Sequence, residues 1–160
     1  MFDGFGEFNS AEEINLAAEG LIFEKDIESL HKLAEENGIE KDCCDIAIET
    51  NTPIICDTVS AAIGKLDIES KEMKLKELMV DWVEYIKEQC FENETVAKNV
   101  RNSKYHLEEC ISNILAWSFK NSENVPKKIC EAAGVKNASV KFGIPGMKTV
   151  KKIIDEYYGG

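Results

Sequence analysis

Two histidines and six cysteines are the side chains of this 160-residue chain with the widest chemical range, so their surroundings decide what reactions are open. His31 follows Leu30 among acidic neighbours, where a solvated or half-buried imidazole is expected. His106 follows Tyr105 at the start of an apolar-periodic run, with no serine or cysteine nucleophile beside it in a local motif. Acid–base and nucleophilic catalysis both need a partner group within hydrogen-bond reach. A Cys–His pair would have to be assembled from distant positions, and no enzymatic function is expected.

The cysteines, Cys43-Cys44, Cys56, Cys90, Cys110 and Cys130, contain no C-x-x-C pair. The opening Met1-Phe2-Asp3-Gly4 has no basic, apolar leader, so reduced thiols in a cytoplasmic protein are the expectation. On helical faces such thiols act as small buried hydrophobes. Cys43, Cys44, Cys56 and His31 form a conceivable zinc set, but adjacent residues on a helix point about 100° apart. No metal, cofactor or disulfide is expected. Apolar runs of a few residues fall far short of the roughly 20 needed to cross a bilayer.

Acidic pairs stand at Glu12-Glu13, Glu35-Glu36 and Glu108-Glu109, without the D-x-D-x-D-G or H-E-x-x-H context of a metal or hydrolytic site. Solvated helix faces are the simpler reading. Their distribution is more informative. Residues 1–72 hold 18 acidic and 5 basic side chains, a net of −13, whereas residues 73–160 hold 12 and 14, a net of +2. The formal charge of −11 argues against nucleic-acid binding over the whole surface. Glu12, Glu13, Glu35, Glu36, Asp42 and Asp45 flank apolar stripes and should face solvent, which makes them candidates for contact with a basic protein partner.

Residues 143–152 (GIPGMKTVKK) supply the other candidate site. Glycines on both sides of Ile144-Pro145 allow a tight turn into a helix whose first N–H groups are unpaired, a natural place for an anion. Gly146, Lys148, Lys151 and Lys152 are the candidate phosphate contacts. The segment is similar to the second half of a helix-hairpin-helix motif, although Lys148 directly follows Met147 where a second glycine is usual. The alternative is a tight helix entry packed by Met147 and Val150.

Apolar residues recur at helical spacing almost throughout, predicting an all-α bundle of seven to nine short helices. Two small subdomains are conceivable, an acidic unit over 1–72 and a second over 73–160 with a basic end. Ser10-Ala11-Glu12-Glu13 reads as a capping box opening a helix that buries Ile14, Leu16, Ala17 and Leu21 and ends near Phe23. A second helix runs from Asp26 through Ile27, Leu30, Leu33 and Ala34 to the left-handed turn at Asn37-Gly38. Residues 40–49 form a short third helix, and Asp57 caps a fourth through Val59, Ile63 and Leu66. Residues 69–74 are either a linker or an exposed helical turn.

Leu75, Leu78, Met79, Trp82, Ile86 and Cys90 mark a central packing helix. Asn93 starts a short helix through Val96 and Val100. Residues 104–120 then turn Leu107, Cys110, Ile111, Ile114, Leu115 and Ser118 inward. Val125-Pro126 opens a helix that stops at Gly134. The last helix carries Val150, Ile153, Ile154, Tyr157 and Tyr158. Leu78, Trp82, Ile86, Leu107, Ile111, Ile114, Ile129 and Ile154 are the expected C-terminal core.

The order Trp82-x-x-Tyr85, Cys90, the basic turn Arg101 to Lys104, Leu107-Glu108-Glu109-Cys110-Ile111 with Ile114, and Ile129 with Ala132-Ala133 resembles PcfK-like proteins of conjugative elements. That resemblance spans residues 78–133. It departs where the family carries an Ala-Val-His-Tyr-Tyr-Asp run, since this chain has Glu131-Ala132-Ala133-Gly134-Val135 there and its tyrosine pair at Tyr157-Tyr158. Gly6-Glu7-Phe8 with Ser10-Ala11-Glu12-Glu13-Ile14-Asn15 also looks like the opening of other mobile-element proteins. The PcfK-like group includes inhibitors of Cas9, so the resemblance implies a stoichiometric protein inhibitor of a CRISPR-type defence nuclease. No binding residue transfers with it. A conjugation or replication accessory factor touching nucleic acid through the basic C-terminal end is the alternative, beside a plain protein-interaction domain.

Overall fold

Residues 4–135 and 139–159 are described by a computed structural model of the chain. Nine helices and one two-stranded ribbon occur among the described residues, an all-α architecture of short helices. In chain order they are α1 (Ala11–Glu24), α2 (Ile27–Glu36), α3 (Lys41–Glu49), α4 (Thr58–Met73), α5 (Leu78–Glu92), α6 (Glu94–Arg101), α7 (Leu107–Lys120), β1 (Glu123–Asn124), α8 (Lys127–Ala132), β2 (Lys141–Phe142) and α9 (Met147–Tyr158).

Capping chemistry sets several of these boundaries. Ser10 accepts a hydrogen bond from the Glu13 N–H, while the Glu13 carboxylate returns to the Asn9 N–H at 2.7 Å, one residue before the cap itself. The reciprocal capping box lies at α4, where Asp57 accepts from the Ser60 N–H at 2.7 Å and the Ser60 hydroxyl receives the Asp57 N–H. Asn93 caps α6 through the Thr95 N–H. α1 and α4 end on left-handed Lys25 and Lys74, and Gly38 takes the same conformation after α2 (φ +66°). The charged stretch over 69–74 is therefore the last turn of α4 and its stop.

Two apolar clusters fill the interior, and α4 serves both. Ala61 faces a cluster built from Ile14, Ala18, Leu30, Leu33, Cys44 and Ile55 of the N-terminal part. One residue further round, Ala62 and Leu66 face Trp82, Ile86, Val100, Leu107, Ile114 and Ile154. The clusters thus divide within α4, which packs against α5, α6 and α7, while α9 closes over α5, α6 and α7. Each fully buried Leu or Ile contributes about 1.5–3 kcal/mol of transfer free energy.

Several apolar positions depart from the sequence pattern. Leu16 is 69% exposed because the seam of α1 runs through Ala11, Ile14 and Ala18, and Leu16 lies two residues, about 200°, beyond Ile14. Ile27, Met79 and Leu115 are also exposed. Leu78 and Ile111 are only half-buried against the C-terminal cluster. Ile129 is 58% exposed, since α8 is a six-residue helix carried between β1 and β2 and buries only Cys130. Trp82, Ile86, Leu107, Ile114 and Ile154 are buried as their spacing requires.

Candidate functional site

With Ile14 and Ala18 turned inward, the opposite side of α1 must carry Glu12, Leu16, Glu19 and Phe23. Positions i, i+4, i+7 and i+11 fall within about 60° of one another on a helix. Phe23 is 87% exposed, so acid and large apolar side chains alternate along one open stripe. The shorter α3 repeats the pattern with Asp42, Ile46 and Glu49, all exposed. Over residues 4–57, twelve of the fourteen carboxylates are exposed, against three exposed lysines.

The six acidic candidates lie on three helices and differ in their freedom. Glu12 is exposed, and its own backbone N–H and the Ser10 hydroxyl hold its pKa below the usual glutamate value. Glu13 is engaged by Asn9, and Glu35 stands 3.4 Å from Lys41. Asp42 is exposed in the first turn of α3. Asp45 meets His31 Nε2 at 3.0 Å. Glu36 departs from the solvent-facing expectation: its side chain is 11% exposed and accepts from the Gly4 and Phe5 N–H groups at 3.0 and 3.2 Å. It fastens the segment before α1 and is not open to a partner.

At the C-terminal site Gly146 is the N-cap of α9, with no side chain completing the cap. Its φ of −66° and the empty space around a Cβ show that neither backbone nor packing demands glycine there. Lys148, Lys151 and Lys152 line an open depression together with Asp155 and Glu156, a face of mixed sign. Lys151 Nζ sits 4.5 Å from the Tyr85 ring centroid, and Lys152 is 3.6 Å from Glu156. The three lysines share one face of α9.

One cluster escaped sequence reading. Lys65 is fully buried on α4, with Nζ 2.7 Å from Glu7 Oε1 and hydrogen bonds to the carbonyl oxygens of Asn102 (2.9 Å) and Tyr105 (2.8 Å). Glu69, one turn on, accepts the Leu107 N–H at 2.8 Å and lies 3.2 Å from His106 Nδ1. Arg101, also buried, donates to Asn37 Oδ1 at 2.9 Å. The available signal was a lysine inside the apolar run Ala61-Ala62-Ile63-Gly64-Lys65-Leu66, with Glu69 at i+4.

Glu7, Glu69 and His106 are the one group of three potential metal ligands among the described residues. The Lys65 ammonium already supplies a cation there, hydrogen-bonded to the Asn102 and Tyr105 carbonyls and paired by charge with Glu7 Oε1 at 2.7 Å, an oxygen that receives no hydrogen bond. This arrangement is a structural joint between the N-terminal segment, α4 and the start of α7. The conceivable zinc set does not assemble: His31 turns to Asp45, Cys44 Sγ points at the Leu30 carbonyl, and Cys56 lies against Asn15. All six thiols are free. Comparison with protein families, curated proteins and solved structures gives no match to this chain. No helix among the described residues is long and apolar enough to cross a membrane.

Proposed function

We propose that this chain works by binding and not by catalysis, as a cytoplasmic mobile-element protein that docks its acidic N-terminal face on a basic protein partner. The observation that carries the reading is the open stripe Glu12, Leu16, Glu19, Phe23 on α1. Exposed carboxylates steer encounter with a positively charged surface, and desolvated apolar side chains supply the contact that persists. The PcfK-like resemblance gives the partner class: a CRISPR-type nuclease, whose nucleic-acid channel is positively charged. An inhibitor occupying that channel needs negative charge and apolar anchors, and α1 offers both.

Association kinetics with a purified Cas9-type effector, across ionic strength, test this reading. Glu12→Lys/Glu19→Lys is expected to slow association and flatten its salt dependence, since exposed charges are screened over about 8–10 Å. Leu16→Ser/Phe23→Ser should chiefly speed dissociation. Equal rates for wild type and both variants, or no complex with any such effector, would remove the proposal.

A further inference from the structure

An open groove of about 360 Å³ lies between α7 and α9, with Asn113, Trp117 and Lys120 on one wall and Ile153, Glu156 and Tyr157 on the other. The three α7 residues stand at i, i+4 and i+7 and so share one side of that helix. Trp117 is half-buried, with Asn113 and Lys120 exposed beside it. The Asn113 amide, the Trp117 indole N–H and the Lys120 ammonium have no hydrogen-bond or ion-pair partner among the described residues. The opposite wall is fixed, since the Tyr157 hydroxyl donates to Glu109 at 2.7 Å and its ring meets Tyr105 and Tyr158 edge-on.

Through Glu156, which lines both, the groove adjoins the depression of Lys148, Lys151 and Lys152, and four lysines and two carboxylates line the combined surface. Both carboxylates are engaged: Asp155 accepts the Tyr85 hydroxyl at 3.2 Å, and Glu156 lies 3.6 Å from Lys152. Lys120 and Lys148 meet no carboxylate among the described residues, so the charge left open to a ligand is positive although the chain carries a net −11.

We propose that this surface binds single-stranded nucleic acid, with a base on the Trp117 indole and flanking phosphates on Lys120, Lys148 and Lys152. The open groups select that ligand. All three on α7 supply N–H donors, which match phosphate oxygens and the acceptor edges of bases, and an indole face stacks on any base. From Lys148 to Tyr157 α9 rises about 14 Å, the length of about four stacked nucleotides. A duplex offers phosphates but keeps its base faces against one another, which leaves Trp117 without a partner. A mononucleotide reaches only the Trp117 end. The site uses no residue of α1, so this proposal and the acidic-face reading stand or fall separately.

The test is fluorescence anisotropy of a labelled oligothymidylate of about ten nucleotides, within the usual range of site sizes, titrated with the full chain across ionic strength. Affinity should fall as salt rises, and a duplex of the same length and thymidine monophosphate should both bind more weakly. Trp117→Ala should weaken binding about tenfold. Lys120→Glu/Lys152→Glu should weaken it and flatten the salt dependence. Glu156→Gln, a change at an exposed position, should strengthen it by removing a repelling carboxylate and releasing Lys152. Helical circular dichroism of each variant shows that the fold is intact. Absence of binding by the wild type at low salt overturns the proposal, as does binding that neither Trp117→Ala nor Glu156→Gln changes. Equal competition by polyglutamate also overturns it, since the surface would then be a site for acidic peptide.

Discussion

Gly38 and Gly64 meet through their backbones, the turn after α2 lying directly on the middle of α4. A Cβ on Gly38 would come within 2.4 Å of the Gly64 carbonyl oxygen, and one on Gly64 within 2.2 Å of the Asn37 carbonyl oxygen. The N-terminal helices therefore sit as close to α4 as two main chains allow.

Gly64→Ala tests that contact, because two effects compete. Alanine favours helix over glycine by about 1 kcal/mol, yet the added methyl has no space and must push α2 away, a strain of about 1–3 kcal/mol. A net loss of stability in urea unfolding is expected. Gly38→Ala should lose more, since its φ of +66° also disfavours any side chain.

Lys65→Met removes the cation beneath Glu7 and strips the Asn102 and Tyr105 carbonyls of their donor. Breaking one side of a buried ion pair costs about 3–5 kcal/mol. Glu7→Gln should cost less, because the Glu7 side chain keeps 22% of its exposure. A Lys65/Glu7 double-mutant cycle in chemical denaturation should show coupling above about 0.5 kcal/mol; additive effects would contradict the joint.

Asp57 links stability to pH. Hydrogen bonds from the Ser60 hydroxyl and N–H hold its carboxyl below the ordinary aspartate value in the folded state. Its contribution is therefore complete above the unfolded value of about 3.9 and fades as pH falls through the lower folded value. Asp57→Ala should cost about 1 kcal/mol at pH 7. The gap to wild type should hold down to about pH 5 and shrink below about pH 4. Thermal melts across that range check both the size and the sign.

Burial pushes the Cys44 thiol up to about 11 and those of Cys56, Cys90 and Cys110 up to about 12. All four are thus neutral at pH 8 and screened from reagent. Native alkylation at that pH should label the half-buried Cys43 first, and Cys44, Cys56, Cys90 and Cys110 only with unfolding. Peptide mapping by mass spectrometry reads the order, and early labelling of Cys90 or Cys110 would mean that the α4–α7 cluster opens more readily than its packing implies.

Helix positions were legible because their causes are local. Ser10, Asp57 and Asn93 cap the helices they precede, and the apolar spacing of Trp82, Ile86, Leu107, Ile114 and Ile154 fixes one buried side for each segment. The acidic character of the N-terminal part was equally plain, since charge follows from composition. Local spacing could not choose between the two apolar sides of α1. Burial of Ile14 and Ala18 against α2 leaves Leu16 and Phe23 outside, and that choice belongs to the neighbouring helix. Nor could it see that Glu36 is taken by the Gly4 and Phe5 N–H groups, or that Lys65 is buried against Glu7 and the carbonyls before α7. These partners are brought together only when α2, α4 and α7 pack, and a hydrogen bond or ion pair between distant positions leaves no period in the sequence.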